Sequence, residues 1–209
     1  STLDRSSAAS DVYKRQIVIG AEGQVEIDEF SDAEHDSLSA LPFLRFTRLT
    51  ETDAALRDFA WKQCAQRRDR TALIDLMHGL NDHIRYQPGI TAVDTSAAEA
   101  FAGRQGVCQD HAHAFIACAR SLGIPARYVS GYLVTDSQDH LASHAWAEAW
   151  LDGGWYSFDV TNCLSRPERH LKLAIGLDYL DACPVRGMRR GGGSERLMAR
   201  VDVEPLIQV

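Results

Sequence analysis

Residues 143–161 read SHAWAEAWLDGGWYSFDVT, and the fold turns on how this stretch is paired. Two runs rich in aromatic and small apolar residues flank Asp152-Gly153, a dipeptide suited to a tight hairpin. Strand alternation puts His144, Trp146, Glu148 and Trp150 on one face, with Ala145, Ala147, Ala149 and Leu151 on the other. If the loop is two residues long, Leu151 faces Gly154 and His144 lies opposite Thr161. Asp159 then shares the face of His144, one diagonal step away. A three-residue loop would put the two on opposite faces, so the register tests whether they can meet.

Upstream, GVCQDHAHAF at residues 106–115 opens a helix expected over residues 108–122. Phe115, Ala119 and Leu122 supply its buried stripe, and Gly123 before Ile124-Pro125 ends it. Cys108 would sit in the first turn, where unpaired N–H groups and the helix dipole favour a thiolate. A cysteine there can act as a nucleophile if a base and an orienting acid reach it. His144 is the candidate base and Asp159 the candidate acid. The duller readings are an inert packed thiol, a satisfied core histidine and an aspartate that closes a turn. Asp110 suits the helix N-terminus electrostatically. Gln105 could donate to an oxyanion, although the Cys108 N–H is the safer donor. Trp146 and Trp155 are expected to pack, and Cys118, Cys163 and Cys183 to be structural.

A metal centre is the rival reading. Cys108, His111, His113 and His140 form a zinc-like ligand list. On a helix, however, residues 111 and 113 diverge and cannot share one ion with Cys108. No CxxC or HExxH motif is present, and no EF-hand-like loop. No metal and no cofactor is expected.

Further out, DAALRDFAWKQCAQRR (residues 53–68) and RTALIDLMHGLNDHIRY (residues 70–86) carry helical periodicity. TSAAEAFAG (residues 95–103) offers Ser96 and Glu99 as a capping box and Gly103 as a stop. ARYVSGYLV (residues 126–134), HLKLAI (residues 170–175) and RLMARVDVEPL (residues 196–206) read as strands, with RRGGGSE as a loop before the last. Helices followed by strands describe an α+β domain, its helices packed on an antiparallel β-sheet.

At the other end, SSAASDVYKRQ (residues 6–16) matches the translation of a transposase-based sequencing-library adapter, so residues 1–16 are expected to be an artefact of assembly. The natural start is then missing. IVIGAEGQVEI (residues 17–27) reads as a strand or hairpin edge, and FSDAEHDSLSALP (residues 30–42) as a polar connector. The division expected is residues 17–40 as the remnant of an N-terminal β domain with its linker, and residues 41–209 as the catalytic domain.

Composition narrows the partners. The 209 residues carry a net charge of -7, and the basic runs RRDR and RGMRR are short, which argues against nucleic acid. No apolar run is long enough to span a membrane. Five scattered cysteines do not form a disulfide framework and fit a reducing, cytoplasmic setting.

Three blocks in order, GVCQDHAHAFIACARSLGIPARYVSGYL, ASHAWAEAW and GWYSFDVTN, resemble the core of the bacterial transglutaminase-like family, related in fold to papain-type thiol enzymes. The family pattern is a helix-start cysteine in GxCxD, a strand histidine in HAW and an aspartate in FDxTN. Cys108, His144 and Asp159 match it one by one. The resemblance covers roughly residues 80–206 and includes DYLDACPVRGMRRGGG near the C-terminus. It implies a Cys-His-Asp enzyme that transfers acyl groups from amides of a protein or peptide substrate to water or an amine. The alternative is a peptide-binding or scaffolding domain of the same fold without turnover.

Overall fold

The structure is a computed structural model that describes residues 6–10, 17–23, 33–35, 38–65, 67–134, 143–166 and 169–183. The strand expected at residues 196–206, its glycine-rich loop and His140 lie outside the described residues.

Near the N-terminus, β1 (Ser6–Ser10) pairs antiparallel with β2 (Ile17–Ala21). After a 3-10 turn at Leu41–Leu44 come α1 (Ala54–Cys64) and α2 (Arg70–His83). Each starts on an aspartate: Asp53 accepts from Leu56 N and Asp69 from Ala72 N, both at 2.8 Å. Helical periodicity continues to Tyr86, but α2 stops at His83. Arg85–Tyr86 (β3) instead pairs in parallel with Gln105–Gly106 (β4). Between them, α3 (Ala97–Gly103) begins with the Ser96/Glu99 capping box. Its left-handed terminal position falls on Arg104, at φ 55, rather than on Gly103.

Helix α4 (Cys108–Ser121) is the central element. Its residues 112 and 114–119 are almost fully buried against both the other helices and the sheet. Arg120 fastens its C-terminal end, donating to Phe43 O, Thr50 Oγ1, Ala126 O and Leu177 O. Burial pulls the Arg120 guanidinium down to about 10. Those bonds to neutral oxygens offset the cost of enclosing the charge.

The sheet is antiparallel with strand order β7-β6-β5-β8, from β5 (Ala126–Leu133), β6 (Ser143–Leu151), β7 (Gly154–Phe158) and β8 (His170–Gly176). The β6–β7 register is Leu151↔Gly154, Trp150↔Trp155 and Glu148↔Ser157. The connecting loop is therefore the two-residue one, with Asp152 at φ 48 and Gly153 at φ 89, the left-handed pair such hairpins require. Ala145, Ala147, Ala149 and Leu151 join the core beneath α4. A short helix, α5 (Tyr179–Ala182), follows β8.

The polar connector does more than link. Glu34 exchanges backbone hydrogen bonds with Trp155 on edge strand β7, at 2.9 and 2.8 Å. Its carboxylate pairs with Lys172 and Arg127.

Candidate active site

Cys108 is the first residue of α4 and is partly exposed. The turn before it is built around Asp110. That carboxylate accepts from Val107 N at 2.8 Å and from Thr91 Oγ1 at 2.7 Å. Burial raises the Asp110 pKa, with those two hydrogen bonds opposing. Asp110 thus caps the helix that carries the thiol and anchors the preceding loop through Thr91. A Cβ on Gly106 would stand 2.7 Å from Asp110 Cβ, so only glycine lets the chain pass this carboxylate.

Asp159 follows β7, and its neighbours determine its state. Its side chain is 1% exposed. Oδ2 lies 2.7 Å from His144 Nε2, 2.8 Å from Asn162 Nδ2 and 3.0 Å from His170 Nε2. Oδ1 accepts from Asn162 N at 3.2 Å. Burial alone would raise this carboxyl. The hydrogen bonds from His144, His170 and Asn162, with the His144 charge, overcome it and hold the group well below the usual carboxylate range. For His144, burial lowers the pKa, but the bond to Asp159 and the contact with Cys108 lift it to about 9. Because Nε2 faces Asp159, Nδ1 is the ring nitrogen left for the sulfur.

The three residues singled out in the sequence are therefore brought together. His144 is hydrogen-bonded to Asp159, and Cys108 is close enough to the ring to raise its pKa.

The histidines of α4 diverge as their spacing predicts. His111 uses both nitrogens, Nδ1 on Thr161 Oγ1 at 2.9 Å and Nε2 on Ile84 O at 2.8 Å. His113 Nε2 instead accepts from Tyr179 N at 3.2 Å. Among the described residues, the group whose ligand atoms converge, within 4.8 Å of one another, is His144, Asp159 and His170. The 2.7 and 3.0 Å separations there are hydrogen-bond distances. A divalent ion would have to displace the imidazole protons that Asp159 accepts.

Trp146 and Trp155 are 1% and 2% exposed, and both pack. None of the five cysteines forms a disulfide. Burial pushes Cys64 up to about 11 and drives Cys118 higher still, so neither thiol ionises readily.

His170, Asn162 and Thr161 carry no role in the sequence reading. Asn162 stands within the FDxTN pattern and Thr161 was placed opposite His144, so those two were adjacent to the argument. His170 had no signal beyond starting a strand.

Known proteins resemble this chain in sequence and fold. Residues 60–160 match the transglutaminase-like superfamily. An uncharacterized protein of Mycobacterium leprae is 37% identical over 143 residues, which are 66% of this chain and 51% of that protein. The chain thus spans about half the length of this curated relative. A protein-glutamine gamma-glutamyltransferase of Pseudomonas aeruginosa is 33% identical over 119 residues, 51% of this chain and 18% of that protein. A crystal structure from Cytophaga hutchinsonii, described as that of a candidate cysteine protease, aligns with a TM-score of 0.61 and 33% identity over 70% of this chain and 50% of its own. Fold and sequence similarity agree, and residues 60–160 carry a domain that matches the transglutaminase-like superfamily.

Proposed function

We propose that this protein is a thiol enzyme that transfers acyl groups from amide bonds of peptides or proteins. The observation that carries the reading is His144, hydrogen-bonded to Asp159 at 2.7 Å and near enough to Cys108 for the thiol to raise its pKa. The Cys108 thiolate attacks the amide carbonyl carbon and forms a C–S bond. Backbone N–H groups at the start of α4, that of Cys108 among them, stabilise the oxyanion. The His144 imidazolium gives its Nδ1 proton to the departing amine as the C–N bond breaks, leaving a thioester. In the second half, neutral His144 takes a proton from water or from an incoming amine, which attacks the thioester and restores the thiolate. Asp159 keeps its charge throughout and fixes the ring tautomer.

Residues 41–209 are the proposed catalytic unit, with residues 17–40 as the remainder of an upstream domain and residues 1–16 as foreign sequence. Five scattered cysteines with no disulfide among them suit a reducing compartment such as the cytoplasm.

The test is incubation with a glutamine-containing peptide, with and without a fluorescent primary amine. Ammonia release alone indicates hydrolysis, and incorporation of the amine indicates transfer. Cys108→Ala should abolish both. Full activity in that variant overturns the mechanism, and a wild type that binds the peptide without turnover identifies a binding domain.

A further inference from the structure

We propose that His170 is a positioning residue that clamps the Asp159 carboxylate and so aims His144 at the sulfur; this rests on the acyl-transfer reading above. Asp159 Oδ2 takes three donors, and they come from different places in the fold. Asn162 sits on the same turn as Asp159 and moves with it. His144 is the group to be aimed. His170 begins β8, at the opposite edge of the sheet from β7, and ties the carboxylate to a strand that neither Asp159 nor His144 belongs to.

The ring is fixed for this purpose. Trp146 meets it edge-on with centroids 4.8 Å apart. The β5–β8 pairing shifts register between Ser130 and Gly131. A Cβ on Gly131 would stand 2.1 Å from Leu171 O and 2.8 Å from Trp146 Cη2, so glycine there admits both the start of β8 and the indole. The His170 side chain is 1% exposed, and its Nδ1 has no partner among the described residues. A proton on Nδ1 would be a buried, unpaired donor. It therefore resides on Nε2, where Asp159 accepts it. Packing alone would be served better by an apolar ring, since enclosing an unpaired nitrogen is costly.

The experiment measures the rate at which iodoacetamide alkylates Cys108 in the full chain at pH 6 and pH 10, for the wild type, His170→Phe and His170→Gln. At pH 6 His144 is an imidazolium and at pH 10, above its pKa of about 9, it is neutral, so the pH 6 rate is the one that senses how the ring is aimed. His170→Phe should slow the pH 6 reaction about tenfold, the equivalent of part of one hydrogen bond to a charged group, and leave the pH 10 rate unchanged. His170→Gln, which keeps an N–H donor, should recover most of the loss. The proposal fails if His170→Phe retains the wild-type rate at pH 6, if both rates fall together, or if His170→Gln is as slow as His170→Phe. Should His170→Phe not fold, the ring 15N shifts of wild-type His170 decide: a protonated Nε2 supports the clamp, and a proton on Nδ1 overturns it. Slow wild-type alkylation at pH 6, or labelling elsewhere than Cys108, would instead refute the acyl-transfer reading itself.

Discussion

Two polar clusters share one face of β6. Around His144, two imidazoles and an amide converge on the single carboxylate of Asp159. Four residues along the strand, Glu148 is paired with Arg127 at 2.6 Å and with Lys172, and Lys172 in turn meets Glu34. The Arg127 guanidinium also lies over the Trp155 ring, 4.1 Å from its centroid. In this second cluster each charge is matched by an opposite one, and the connector segment covers it. In the first, donors outnumber acceptors, and on the proposed mechanism one nitrogen of His144 is left to act on a thiol. Similar burial thus produces a fastening at one end of the strand and the proposed reactive group at the other.

The sharpest way to break this contrast is Asp159→Asn. It removes the charge that holds the His144 imidazolium and should cut acyl turnover by about 10³- to 10⁴-fold, as loss of the acid does in comparable triads. Ammonia release from the glutamine peptide measures it, and a retained fold by circular dichroism keeps the result interpretable. At the other cluster, Glu148→Gln should leave Cys108 alkylation unchanged. It removes the shortest ion pair of a buried guanidinium that still meets Glu34, and should cost about 1–3 kcal/mol in urea unfolding. Converting both partners, Arg127→Met with Glu148→Leu, should recover much of that stability.

Gly131→Ala probes the junction between the clusters. The added methyl meets the Leu171 carbonyl and the Trp146 ring, so a loss of about 1–3 kcal/mol should accompany slower alkylation at pH 6. The pH dependence of stability should single out the first cluster. The His144 pKa is raised on folding from 6.5 to about 9. Its contribution is therefore complete below about pH 6.5 and is lost as pH rises through about 9. Asp159 is depressed, so its contribution is present above its ordinary range and disappears only in strong acid. Urea titrations of the wild type and His144→Gln between pH 5 and 10 should converge at the alkaline end. The smallest effect belongs outside both clusters: Ser96→Ala removes one capping bond and should cost about 1 kcal/mol with turnover intact.

What could be read from the sequence was whatever short-range rules determine. The Asp152-Gly153 loop sets the β6–β7 register, and that register brings His144 and Asp159 to one face. Caps and periodicity locate the helices. Errors arise where long-range pairing overrides local preference, as when Arg85–Tyr86 leaves the periodicity of α2 to pair with β4. Glu34 belongs to a segment with no apolar pattern, so its docking on Trp155 left no trace. His170 was invisible for a related reason. Its approach to Asp159 depends on a bulge between β5 and β8 and on Gly131, which pairs with Lys172 beside that bulge, and neither is a local property.

The His111 ring has a mechanical consequence. Fixed at one nitrogen to the end of α2 and at the other to Thr161, it bolts the first turn of α4 to the bend that bears Asp159. The thiol-bearing helix, the end of α2 and the bend after β7 thus meet at a single imidazole, a tie between the two halves of the site that does not run through the sheet.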